Sequence, residues 1–325
     1  MNLLSTYYAI PDGERMILDE MEGIKTDEYL YFTISANNKE IIHMEQAALA
    51  YYLAENNYKQ VAIPIPNVHG EWFTKYQDKK YLVLQVQSIQ DRPHISHGKL
   101  LANFHHTGAN YSYEPNEISS YGQWKELWID KITIFENQIG QEAKNNSNRY
   151  CELLMDILPY LIGISENAIQ YVQESEHETR YHETDQSTIT FQRYQSNCLK
   201  PVIWTGDLMY DHPTRDLAEY IRVKLLYGDQ RSMDEVSLFL KEYQTIRSLS
   251  VFSWRLLYAR LVFPIHLFDV IGKGFLSVNH DQSYERLTDV IKNQVVYEDR
   301  LDKFFQYAGV DNESLHIPVL HWLGK

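Results

Sequence analysis

The stretch that most constrains this chain is Val202 to Arg222, VIWTGDLMYDHPTRDLAEYIR. Val202-Ile203-Trp204 is a short apolar, β-prone run of the kind that forms a buried strand. Thr205-Gly206-Asp207 then turns the chain. Asp211-His212-Pro213-Thr214-Arg215 is a second polar bend, in which Pro213 biases His212 away from helical angles. From Asp216 the period changes. Leu217, Ala218, Tyr220, Ile221, Leu225 and Leu226 share a helical face, and Asp216 sits where a capping acid belongs. Strand, turn, polar loop and acid-started helix put polar side chains on a rigid frame, so a site is expected here.

The rest of the chain divides around it. Residues 1–89 read as a β-rich lobe with one helix. Glu28 to Ser35 (EYLYFTIS) predicts a strand, and Glu40 to Glu55 a helix whose Ile42, Ala47, Leu49, Ala50 and Leu53 can face a sheet. Val61 to Pro66 is extended, and its prolines keep it out of a central ladder. Glu71 to Tyr76 and Lys80 to Gln87 predict two antiparallel strands. A linker at 88–94 precedes a mostly helical lobe, residues 90–325. Helices are expected at His97–Thr107, Trp124–Asn137, Tyr150–Val172 with an interruption near Pro159, Asp234–Tyr243, Ser250–Ile271, Ser283–Tyr307 and Leu315–Leu323. Thr188 to Phe191 (TITF) is a short strand inside the polar stretch 172–200. The fold class is therefore α+β.

A chain of 325 residues, 44% hydrophobic and 23% charged, can bury a large core or two lobes. The formal net charge of -14 argues against a nucleic-acid partner, which needs a basic face. Two cysteines, Cys151 and Cys198, do not make a disulfide framework and fit free thiols in a reducing compartment. The N-terminus carries no signal-peptide pattern, no run approaches the length of a membrane span, and synthesis in the cytosol is expected.

Thirteen histidines raise a metal hypothesis, with His94 and His97 three apart. No cysteine or acidic cluster accompanies them at zinc-like spacing, so no metal site is expected. No phosphate-binding, dinucleotide-binding or nucleophile-elbow glycine motif occurs. The acids between Thr179 and Asp211 are the serious candidates. Tyr181-His182-Glu183-Thr184-Asp185 precedes TITF, and Asp207 follows VIW. Acids at the ends of two neighbouring strands could hold Mg²⁺ and orient a phosphoryl acceptor. They could equally be solvated loop acids of an acidic protein, and residue types alone leave both readings open.

Four segments carry a resemblance: LLANFHHTG (100–108), YGQWKELW (121–128), DHPTRDLAEYI (211–221) and YQTIRSLSVFSWRLLYARLVFPIHLF (243–268). In this order they resemble the CotS/YutH family of Bacillus endospore coat-associated proteins, relatives of aminoglycoside phosphotransferases and choline kinases. The resemblance implies a two-lobed protein-kinase-like fold. Active relatives carry a histidine, any residue, an aspartate, and an asparagine five positions later. With His182 as that histidine, the base position is Thr184 and the Mg²⁺-asparagine position is Ile189. The DHPTRDL register places the metal aspartate at Trp204. The lysine that holds ATP phosphates should lie in YLYFTIS, where Thr33 is the nearest match. Its helix partner survives as Glu45, at the cleft, and Arg215 and Asp216 survive as a structural brace.

The resemblance thus implies a catalytically degenerate kinase-like protein, or pseudokinase, that needs neither Mg²⁺ nor ATP. It would assemble with other spore coat proteins, starting in the mother-cell cytoplasm and ending in the coat. The alternative is an active ATP-dependent kinase of an amino-alcohol, sugar or aminoglycoside, with Asp185, Asp207 or His182 as relocated catalytic groups.

Overall fold

A computed structural model describes residues 3–87, 89, 95–177 and 183–321, so most of the linker at 88–94 and His182 lie outside the described residues. The chain folds as two compact units, one made of 1–119 with 187–211, the other of 120–186 with 212–325. The last strand of the sheet ends at Val86, and its unit also takes in the chain to 119 and the 187–211 excursion.

The first unit begins with a short helix, α1 (Leu3–Tyr7), and a hairpin of β1 (Glu14–Leu18) and β2 (Met21–Lys25) that local sequence pattern does not mark. Strand β3 (Leu30–Ser35), helix α2 (Glu40–Glu55), and strands β4 (Ile63–Ile65), β5 (Thr74–Tyr76) and β6 (Lys79–Val86) complete its first part. The six strands form one antiparallel sheet in the order β1-β2-β3-β6-β4, with β5 also on β6. Pro64 lies on the edge strand β4, where a missing N–H costs no ladder bond.

Both faces of this sheet are covered, and the pleat sorts the residues of β3 between them. Leu30 and Phe32 pack with Leu82, Leu84, Val86, Val202 and Trp204 on one face, and Ile34 joins them. Val83, Tyr31 and Tyr81 pack with Leu3, Leu4 and Tyr8 of the α1 segment on the other. Helix α3 (His97–Gly108) and the hairpin of β7 (Thr188–Phe191) with β8 (Leu208–Asp211) finish the unit. The VIW run is buried and extended as expected. It makes a single parallel bridge, Val61 to Ile203, in place of a ladder, and the strand partner of TITF is 208–211.

The second unit is helical: α4 (Trp124–Asn145), α5 (Arg149–His177), α6 (Thr214–Tyr227), α7 (Gln230–Gln244), α8 (Val251–Val262), α9 (Ile265–Phe275), α10 (His280–Asp302) and α11 (Phe304–Ala308). Helix α5 runs through Pro159 without interruption. Pro159 and Met155, whose carbonyl loses its bond, are both exposed, so water can take that carbonyl. The helix expected at 250–271 is instead two, because Pro264 has no N–H to continue α8, and α9 starts immediately after it. Ser250 caps α8 by accepting the Ser253 N–H at 2.9 Å. No helix forms over 315–321, the described part of the expected C-terminal one. Among the described residues no helix is long and apolar enough to cross a membrane.

Candidate functional site

The candidate site is built inside the first unit, where 202–208 runs under the sheet face that carries Phe32. Ile203 N–H donates to the Gln60 carbonyl at 3.0 Å and its own carbonyl accepts from Ala62 N–H at 2.9 Å. These bonds fix the residue that follows. Trp204 is 7% exposed, and its ring meets Phe32 edge-on, 4.8 Å between centroids at 88°. Its indole N–H donates to Asp19 Oδ2 at 2.9 Å. Asp19 and Glu20 form the two-residue turn of the β1–β2 hairpin, both at positive φ (48° and 66°), with Leu18 paired to Met21. The tip of the hairpin is thereby tied to the end of the VIW run.

A short 3-10 turn, 205–207, follows Trp204. Helix α2 holds it from one side, since the buried Gln46 amide donates to the carbonyls of Gly206 (2.9 Å) and Leu208 (3.2 Å). The loop after β7 holds it from the other. Gln192 N–H donates to the Asp207 carbonyl at 2.6 Å, and the Asn197 amide donates to Asp207 Oδ2 at 2.9 Å. Asn197 is itself fixed, its Oδ1 accepting the Gln195 N–H at 2.7 Å, and Ser196 before it sits at φ 57°. Burial raises the Asp207 carboxyl above its ordinary range, Lys200 and Asn197 oppose this, and Asp19 adds to the rise.

This geometry corrects several placements. Thr33 pairs with Val83 and shares the α1-side face, so it points away from Trp204. A side chain from YLYFTIS that faces Trp204 must come from Leu30, Phe32 or Ile34, and none bears an amine. Ile189 is fully buried within β7, paired with Tyr210, and is not a loop residue. The loop beside Asp207 is 192–197. There the spacing of the family pattern falls on Thr190, Gln192 and Asn197, eight residues later than the register keyed on His182.

Thr184 and Asp185 belong to the other unit. Asp185 is 1% exposed. Its Oδ1 accepts the hydroxyls of Ser250 (2.5 Å) and Ser253 (2.6 Å), and the Tyr121 hydroxyl donates to its carbonyl at 2.7 Å. His212 Nδ1 accepts the Thr214 N–H, so a neutral ring carries its hydrogen on Nε2, 3.6 Å from Asp185 Oδ1. The buried Arg247 clamps the segment by donating to the carbonyls of Thr184 (2.9 Å) and Gln186 (3.1 Å). This is an interior network, and the Asp185 carboxylate is not offered to a substrate. Arg215 donates to Ser120 Oγ at 3.0 Å. Asp216 lies inside the first turn of α6, three residues after the N-cap position at Pro213, and is fully buried.

Glu45, read from sequence as the partner of an absent lysine, has a different set of partners. Its carboxylate accepts the backbone N–H groups of Asn116 (2.9 Å), Glu117 (2.8 Å) and Ile118 (3.1 Å). Bonds from N–H groups to a charged acceptor are the stronger kind, but two of these face solvent. Glu45→Ala is expected to cost about 1–2 kcal/mol, read as a lowered urea midpoint, with Glu45→Gln intermediate. Among the described residues no group of His, Cys, Asp or Glu converges in metal-holding geometry. His97 donates to or accepts from the Tyr194 hydroxyl at 2.6 Å.

Sheet, helix and strand order define a kinase-like fold of the aminoglycoside phosphotransferase kind. An aminoglycoside phosphotransferase from Alicyclobacillus acidocaldarius superposes with a TM-score of 0.63 at 12% identity, over 93% of this chain and 94% of that one. A microcompartment-associated aminopropanol kinase gives 0.58 at 11% identity, over 94% and 97% of the two chains. Residues 1–304 match the family described as "Spore coat putative kinase YutH". The chain belongs to this YutH family of spore coat proteins. It is 32% identical to the endospore coat-associated protein YutH of Bacillus subtilis over 285 residues, 85% of this chain and 84% of that one. Spore coat protein S of the same organism is 25% identical over 217 residues, 62% of this chain and 60% of that one.

Proposed function

We propose that this protein is a catalytically silent kinase-like component of the endospore coat, working through binding and assembly and not through phosphoryl transfer. The single observation that carries the reading is Trp204, wedged against Phe32 and tied to Asp19 of the β1–β2 turn. In the family register Trp204 stands where a metal-binding aspartate belongs. An indole cannot ligate Mg²⁺, and one held this way fills the space beside the sheet that a nucleotide phosphate needs. Gln192 at the base position cannot accept a proton as a carboxylate does. The β3 residues on the Phe32 face, Leu30, Phe32 and Ile34, offer no ammonium for phosphate. These residues do not fit Mg²⁺-ATP.

Kinship with the coat proteins supports a place in the coat and other coat proteins as partners, after synthesis in the mother-cell cytoplasm. A fold kept without its chemistry serves most simply as a binding module.

One observation favours the second reading, an active kinase of an amino-alcohol, sugar or aminoglycoside. Asn197 and Asp207 are an amide and a carboxylate held 2.9 Å apart, the chemistry of a residual metal pair. Isothermal titration with Mg²⁺-ATP, run beside an ATP-consumption screen over those acceptors, separates the two. Silent assembly predicts no saturable heat and no acceptor-dependent ADP. Turnover that needs an acceptor and disappears in Asp207→Asn would establish the kinase instead.

A further inference from the structure

We propose that the seam between α4 and α5 is a docking groove for an amphipathic helix of a partner protein, apolar on one face and flanked by lysine or arginine. The groove measures about 320 Å³ and is lined by these two helices alone. Its floor is Ile129 and Ile132 of α4 with Ile162 and Ile169 of α5. Ile129 is 42% exposed, and the other three are half-buried. Branched aliphatics left half in water along a seam are what an incoming apolar ridge would cover. Spacings of three and seven residues keep each pair on one face of its helix.

The rim supplies the sign of the partner. Glu136 and Glu166 both line the groove, both are exposed, and no lysine or arginine is among its lining residues. Among the described residues neither carboxylate has a hydrogen-bond or ion-pair partner. Two unpaired acids beside an apolar floor, on a chain of net charge -14, select a basic flank and repel an acidic one. The lining residues of α5 span 162–173, about 16 Å of helix axis, which matches about three turns of a docked helix. The proposal goes beyond the assembly reading, because the groove is the same whether or not the Trp204 site is silent.

The test is to pan a displayed library of amphipathic helices over the full chain and measure the enriched peptides, labelled, by fluorescence anisotropy. Peptides with apolar residues at i, i+3, i+4 and i+7 and basic flanks are expected. Ile129→Asp, at the most exposed floor position, should weaken them at least about tenfold, with the thermal midpoint of the protein unchanged. Glu136→Lys with Glu166→Lys should turn the preference to the same peptides with glutamate flanks. Three outcomes would overturn the proposal: no enriched peptide, peptides that bind both variants as they bind wild type, or enrichment of acidic flanks. Concentration-dependent self-association in sedimentation that Ile129→Asp abolishes would also overturn it, making a second copy the occupant.

Discussion

Trp204→Ala is expected to destabilise the protein by about 3–5 kcal/mol, read from the urea midpoint. The indole is 7% exposed and belongs to the apolar layer that includes Phe32, Leu82 and Leu84, so truncation leaves a cavity that the ladder bonds of β3 and β6 cannot collapse. Trp204→Phe separates packing from the polar tie. It keeps a ring against Phe32 but removes the N–H that Asp19 accepts, and should cost about 1–3 kcal/mol. Asp19→Ala removes the other end of the same bond, so a double-mutant cycle should show coupling of about 0.5 kcal/mol or more. A Trp204→Ala midpoint equal to wild type would mean that the indole does not hold the hairpin tip. The proposed silence makes a further prediction at this position: Trp204→Asp introduces an acid while leaving Gln192 and Phe32 unchanged, and no phosphotransfer is expected from it.

Much of this site was legible in the sequence, and the rest was hidden for identifiable reasons. The buried VIW run, the α2 helix and the TITF strand all follow from local pattern. The side of β3 that faces Trp204 does not. YLYFTIS alternates Leu30, Phe32 and Ile34 with Tyr29, Tyr31, Thr33 and Ser35, but both faces of the sheet are covered, so the alternation alone does not say which parity meets Trp204. The β1–β2 hairpin escaped because its turn is Asp19-Glu20, without the glycine or asparagine that usually marks a two-residue loop.

The catalytic-loop register depended on a long-range pairing. Two polar stretches flank TITF, and only the strand pairing with 208–211 selects the one after it. A signal was nonetheless present. Asn197 stands five positions after Gln192, the spacing of the family pattern. In the helical unit, the failure at Pro159 shows that a proline on an exposed helical face need not break the helix.

Acid lability should arise in the helical unit, from His266. The ring lies on α9 with its Nε2 2.6 Å from Gln294 Oε1, which can only accept, so Nε2 carries the hydrogen. Nδ1 is buried without a partner. Burial first, and then the positive charge of Arg222, push the imidazole down to about 3, against the smaller opposing effect of Gln294. In the unfolded chain the same ring titrates near 6.5, its ordinary value. Below 6.5 the unfolded state therefore binds a proton that the folded state refuses. The stability is fully present above 6.5 and falls as pH drops towards 3, by about 1.4 kcal/mol per pH unit once well below 6.5. Between pH 6.5 and 5, before most carboxylates titrate, the loss should reach about 1.5–2 kcal/mol. His266→Gln removes the titration while keeping an amide that can donate to Gln294. Its plateau can be lower, but its urea midpoint should be flatter over that pH range than the wild-type midpoint. An unchanged slope in this variant would assign the acid lability to another group.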